Sequence, residues 1–173
     1  KSPVYWAFFL LHTTHMIKPL PYKSDPIIVS MDMCDHNKHM NVNYYYKMFD
    51  NSYTSMYMDD LDFTPEYIAS GFSTFTLEDS IRYLKEFRLG DKVYPSFHLN
   101  NVNNKLLHFV GILLNEDGEL AAIFETVLGH IDLNARKVTD FSEQRLQNLL
   151  SYRTSNKIDE DFPFDLKLKI KDL

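Results

Sequence analysis

From Asn43 to about Asp59, apolar and aromatic positions recur at spacings of three and four: Tyr45, Met48, Phe49, Ser52, Tyr53, Met56 and Tyr57. That period predicts a helix, with Asn41 or Asn43 able to cap its start. Upstream, the proline-punctuated stretch "KPLPYKSDP" (18–26) reads as a lead-in loop, and "IIVSMDM" (27–33) as a strand. "TPEYIASG" (64–71) predicts a short helical turn, with proline at its first position and glycine after its last. Beyond Gly71 the pattern changes to strands, over 72–89, 91–102, 104–114 and 119–133. Asp117-Gly118 between two apolar runs marks a hairpin. Pro95 assigns its strand to an edge or a bulge. A polar helix follows over 140–153, with Ser142 at its start, and the tail alternates weakly as a late strand or an arm.

One long helix with aromatics and methionines on more than one side must be surrounded. Four antiparallel strands curved around it would do so. This predicts an α+β domain of the hotdog type, a curved antiparallel sheet wrapped around one central helix, with a C-terminal helix. A flat sheet with a helix on one face has the same pattern. Residues 16–153 form the expected domain and 154–173 a C-terminal tail. Residues 1–15, with the apolar run "VYWAFFLL", read as a leader, an expression remnant or a docking segment. That run is too short to span a bilayer, and no other stretch predicts a membrane span.

Composition narrows the partners. The chain of 173 residues is 45% hydrophobic, enough for one real core. Its formal charge of -6 argues against a phosphate-backbone binder, so no nucleic-acid partner is expected. The single cysteine, Cys34, makes no internal disulfide, which fits a reducing, cytoplasmic setting.

The chemistry concentrates in "MDMCDHNKHMNVNYYYKMFD" (31–50), a polar cluster set against a helix start. A helix N-terminus leaves backbone N–H groups unpaired, and these suit an oxygen that gains negative charge. A carboxylate just upstream can act as base or nucleophile. From the residues alone, Asp35 is equally a turn former or a favourable charge at the helix start. His39 can position a ligand or order the loop. Asn41 can hold a water or cap the helix. Cys34 with His36 or His39 offers a nucleophile–base pair. The same three residues with Asp35 offer metal ligands, but at a spacing too cramped for a known site, so no metal is expected.

"DHNKHMNVNYYYKMFD" resembles the signature of the hotdog-fold acyl-CoA thioesterases of the 4-hydroxybenzoyl-CoA thioesterase group. "EDSIRYLKEFRLGD" and "LLHFVGILLNEDGELAAIFETVLGHIDLNAR" are similar to that group's second strand and terminal hairpin, and the resemblance spans roughly 26–148. Within the group, the first motif is nearest to thioesterases of carnitine and betaine metabolism. Two positions depart from the pattern: Lys38 stands where glycine is usual, and Ser80 where a histidine is often found.

The resemblance implies hydrolysis of a short or polar, even quaternary-ammonium, acyl-CoA to free acid and coenzyme A. No cofactor is implied; the coenzyme A thioester is the substrate. Asp35 is implied as the catalytic carboxylate, with His39 and Asn41 beside it. Val42, Asn43, Tyr45 and Glu78 are expected to meet the substrate, and one of Tyr44, Tyr45 and Tyr46 to join an aromatic cage for a cation. Lys38, Arg82, Arg88 and Lys105 are candidates for the coenzyme A phosphates, with Lys85, Arg136 and Lys137 behind them. A homodimer or dimer of dimers is expected, since a lone curved sheet leaves open edges. A catalytically silent module that binds an acyl-CoA or acyl-carrier ligand, and a hydratase or dehydratase on the same fold, are the alternatives.

Overall fold

The computed structural model describes residues 16–171. The proposed leader therefore lies outside the described residues. The lead-in loop carries two short strands, β1 (Tyr22–Lys23) and β2 (Ile27–Ile28). The predicted strand over 27–33 stops after Ile28, and Met31–Met33 form a 3-10 turn instead. Helix α1 (Val42–Ser52) begins where Asn41 Oδ1 accepts the Asn43 N–H at 3.0 Å. It ends earlier than the period suggests: the chain relaxes at Tyr53 and continues as a wider π-type turn over Met56–Asp60. Thr64 then caps the short α2 (Pro65–Ala69).

Four long strands follow: β3 (Phe72–Tyr83), β4 (Lys92–Val102), β5 (Leu106–Leu114) and β6 (Leu120–Asp132). They form an antiparallel sheet in the order β1-β4-β5-β6-β3, with β2 also on β4 and a short β7 (Lys137–Val138) on β6. Pro95 lies inside β4, between the residues paired with β1 and those paired with β2. Its carbonyl accepts the Ser24 N–H in that gap. A residue's N–H and C=O point the same way in a strand, so the missing proline N–H falls where the ladder is already broken. The expected C-terminal helix is α3 (Glu143–Ser155), capped by Ser142. Among the described residues the tail after it forms no strand.

One face of the sheet closes on α1. Phe49 stacks on Phe124 at 4.8 Å between ring centroids and meets Phe97 edge-on at 6.2 Å. Gly111 makes this approach possible: a Cβ there would sit 2.7 Å from the Phe97 ring and 3.2 Å from Phe49. This side holds the main core, with Met48, Met56, Phe63, Leu99, Phe109 and Leu128. The hotdog expectation is thus met, and α1 is enclosed on the sheet's concave side.

The other face is covered by the lead-in loop and the tail. Leu20, Val110, Ile112, Leu114 and Ile123 make a second apolar layer under Phe162, Phe164 and Leu166. Beside it sits buried polar chemistry. Glu125, fully enclosed, accepts the backbone N–H groups of Lys167 and Leu168 (2.8 and 2.9 Å) and meets Arg82 at 3.2 Å. His98 and His108 are buried nearby; His98 Nδ1 has no hydrogen-bond partner among the described residues.

Burial holds the His98 pKa down at about 4, with the Arg153 charge and His108 acting in the same direction. A depressed histidine pKa means the folded state resists protonation. Its contribution is full above the unfolded value near 6.5 and is lost as pH falls toward 4. The gap is worth roughly 3 kcal/mol at most. Urea unfolding between pH 7 and 4.5 is expected to show falling stability, with a shallower fall in His98→Gln. An equal slope in both would mean that His98 is not a source of the acid sensitivity.

Candidate active site

The polar stretch before α1 folds into a tight loop fixed from both ends. Asp35 N–H donates to His39 O at 2.9 Å, and Lys38 N–H donates to Asp35 O at 3.0 Å. Cys34 and Met40 pair across the loop, and His39 pairs with Arg88. Met40 N–H donates to Phe87 O (2.8 Å) and Asn41 N–H to Met33 O (2.9 Å). The loop is therefore stitched to residues 86–88, which follow β3. Lys38 turns the corner at φ 64°, where an L side chain is strained and glycine is not.

Asp35 Oδ1 accepts two N–H groups of its own loop, from Asn37 (2.8 Å) and His39 (3.4 Å). Its other oxygen, Oδ2, carries no bond among the described residues. His39 Nδ1 lies 3.2 Å from Glu86 Oε2, and Glu86 is gripped in turn by Arg88 through Nε (2.8 Å) and Nη2. Asn41 is the helix cap. Asn43 N–H bonds its side chain and Tyr44 N–H its carbonyl (2.9 Å), so Val42 N–H is the donor of the first turn with no partner among the described residues.

A small open cavity of about 240 Å3 lies at this helix start, lined by Met40, Val42 and Tyr45 and by residues 83–86. The three tyrosines diverge. Tyr45 is buried; its hydroxyl accepts the Phe87 N–H (3.1 Å) and donates to Lys85 O (3.3 Å), and burial raises its pKa. Tyr44 carries Lys47 over its ring at 4.8 Å. Tyr46 is 40% exposed and donates to Asp79 Oδ2 at 3.2 Å; its pKa is raised by burial and then by Asp79. Tyr45 instead meets Tyr83 edge-on at 5.1 Å and Phe87 at 5.8 Å between ring centroids.

Asp35, His39, Asn41 and Val42 thus gather at the helix start with Tyr45 behind them. Asn43 is exposed on the helix. Glu78 is not with them. A bulge between Thr76 and Glu78 pairs it with Val127, and it is Asp79, opposite Thr126, that reaches α1 through Tyr46. The candidate phosphate cations do not converge. Arg82 is held by buried Glu125 on the outer face, and Lys105 pairs with Asp140 (3.5 Å) at the far end of β5. Only Lys38 and Arg88 flank His39, and Arg88 already holds Glu86. Ser80 lies opposite Glu125. The Cys34 thiol donates to Ser30 O at 3.5 Å rather than to a histidine. Among the described residues, no three His, Cys, Asp or Glu side chains gather as a metal site.

Glu86 and Asp79 were not singled out from the sequence. Both stand within the quoted "EDSIRYLKEFRLGD", but local spacing gives no reason to join either to residues 35–46. That contact exists only once β3 lies beside the helix.

Known proteins carry the same architecture. A family model described as the Thioesterase-like superfamily matches residues 29–149. Two bacterial proteins named "L-carnitine dehydrogenase/betainyl-CoA thioesterase" are similar. The one from Ruegeria pomeroyi is 34% identical over 63% of this chain, and the one from Agrobacterium fabrum 31% identical over 60%. The chain spans only about a fifth of their length, 22% and 21%. Among solved structures, a Staphylococcus aureus hypothetical protein in complex with CoA superposes with a TM-score of 0.76. It is 24% identical, over 90% of this chain and 98% of its own. A Thermus thermophilus thioesterase complexed with coenzyme A and Zn superposes with a TM-score of 0.65, at 16% identity, over 80% and 98%.

Lys38 offers a direct test of the loop. The left-handed corner costs an L residue roughly 1–2 kcal/mol, and glycine returns part of that through its freer unfolded chain. Lys38→Gly is expected to stabilise the protein by about 0.5–1 kcal/mol in urea unfolding. A destabilised variant would mean that the lysine side chain supports the loop more than its backbone strains it.

Proposed function

The chain belongs to the thioesterase-like superfamily, and from that membership we propose that it hydrolyses an acyl-CoA thioester to the free acid and coenzyme A. One observation carries the reading. A carboxylate with one oxygen anchored and one free, on Asp35, stands in the loop that leads into an α1 start whose Val42 N–H has no partner among the described residues. Anchoring fixes the direction of the carboxylate and leaves Oδ2 to face outward from the turn. Asp35 Oδ2 takes the proton of the attacking water. The Val42 N–H and the positive end of the helix stabilise the oxygen of the tetrahedral intermediate. Collapse breaks the C–S bond, and the leaving thiolate takes the proton that Asp35 accepted, which releases the thiol and restores the carboxylate.

The finer reading is a short or polar acyl group, including a quaternary ammonium one. It is supported by the printed names of the two bacterial relatives and by Asp79 and Tyr46, a carboxylate and an aromatic ring bonded at the seam of α1 and β3. A carboxylate held next to an aromatic side chain suits a fixed cation. Coenzyme A binding is supported by the complexes of the structural neighbours. A silent binding module is the second reading. It is favoured by the turn-forming bonds of Asp35 Oδ1, which a purely structural aspartate would also make.

Asp35→Asn separates the two. Asparagine keeps a loop-accepting oxygen and loses the base. Thiol release from a panel of betainyl, short-chain, long-chain and aromatic acyl-CoA thioesters is expected to fall about 100- to 10,000-fold on the best substrate. Melting temperature should hold. Asp32→Asn is the control: Asp32 is exposed, accepts the Ser30 hydroxyl at 2.6 Å, and should cost little. A folded Asp35→Asn with more than about half of wild-type turnover would remove Asp35 from the mechanism. No release from any substrate by the wild type would favour the silent module.

Assembly follows from the edge. Among the described residues β3 has β6 on one side and no strand on the other, and Leu77 on it is 51% exposed. An open edge of 12 residues invites pairing with a second copy. Light scattering is expected to give a dimer or a dimer of dimers; a 20.4 kDa particle at micromolar concentration would contradict this.

A further inference from the structure

The Asp35 loop contains a second side chain whose partner lies on another segment. His39 is tied to Asp35 through the backbone in both directions, so the two side chains leave one small turn with little freedom between them. The His39 ring is then turned by Glu86, whose Oε2 lies 3.2 Å from Nδ1. An ionised carboxylate only accepts hydrogen bonds. A neutral ring that turns an Nδ1–H toward Glu86 presents a bare Nε2 on its other side. Glu86 itself is fixed on its other oxygen by the Arg88 fork, and it lines the cavity at the helix start.

We propose that Glu86 is a positioning residue that holds His39 as the Nδ1–H tautomer, so that His39 Nε2 and Asp35 Oδ2 together hold the attacking water. The proposal rests on the thioester-hydrolase reading for the identity of that water. A water has two hydrogens. With one donated to Asp35 Oδ2 and one to His39 Nε2, a lone pair is left to face the thioester carbon. Asp35 then takes its proton, and His39 keeps the oxygen aimed. The opposite tautomer would present an N–H there, compete with the water's own hydrogens and turn the oxygen away. Glu86 thereby decides whether His39 helps or hinders, while taking no proton from the water itself. Arg88 supports Glu86 with the guanidinium that a phosphate would otherwise engage.

The test combines kinetics with a tautomer measurement. Glutamine at 86 fits the same space but offers an NH2 as readily as an oxygen, so Glu86→Gln frees the ring to change tautomer. Turnover is expected to fall at least about 10-fold, with KM close to wild type. His39→Gln should lose as much or more, and adding Glu86→Gln to it should cost little further, because the glutamate acts only through the histidine. Independent losses that multiply in the double variant would overturn the proposal, as would a Glu86→Gln turnover above half of wild type. Nitrogen-15 NMR of the His39 ring, which needs no substrate, should find Nδ1 protonated and Nε2 bare in wild type, and a mixed population in Glu86→Gln. The opposite tautomer in wild type, or an unchanged ring in the variant, would overturn the proposal even if no thioester were cleaved. A wild type that cleaves nothing, with the expected tautomers, would instead retain the Glu86–His39 arrangement and overturn the hydrolytic water.

Discussion

The rest of the molecule depends on the seat of Phe49. Its ring sits between Phe97 and Phe124, against a strand that carries no side chain at Gly111. A helix can approach a sheet this closely only where one position is bare. That contact fixes the depth of α1 within the curve of the sheet. Once α1 is held there, its start, its cap and the loop before it have one available position.

The candidate site inherits its order from that placement. Backbone bonds from Met40 to Phe87 and from His39 to Arg88 join the loop before the helix to the segment after β3. Neither segment is a strand of any length. Each is held because the element next to it is buried: Tyr45 on α1 reaches the same segment with its hydroxyl, through Phe87 N–H and Lys85 O. Reactive groups at exposed positions are thus supported by a buried phenol behind them. This is how a half-exposed pair such as His39 and Glu86 keeps its geometry, since exposed ion pairs alone contribute little.

The outer face of the sheet obeys a different logic. Its apolar layer is thin, and among the described residues the tail over it forms no strand. Glu125 holds the tail by accepting two consecutive backbone N–H groups, an anchoring that compensates a carboxylate removed from water. Arg82 balances its charge from the neighbouring strand. The same bond explains why Arg82 belongs to the scaffold rather than to a ligand.

The sequence by itself determined the elements and the class. Period three-to-four spacing over 43–59, alternation after Gly71, Asp117-Gly118 and Ser142 are local signals; aromatics on more than one side of the helix suit the hotdog type, and the motif at 35–50, not the pattern, separates it from a flat sheet with one helix. It also determined where the chemistry gathers, because Asp35, His39 and Asn41 fall within one loop. Tertiary structure decided the pairings. The bulge beside Leu77 turned Glu78 away from the helix and Asp79 toward it, since one extra residue in a strand exchanges its two faces. Arg82 and Lys105 went to opposite regions because strand parity and hairpin position, not residue type, set where a cation points. Glu86 met His39 only across two segments distant in sequence, and no local spacing encodes a contact that depends on how far a helix sinks into a sheet.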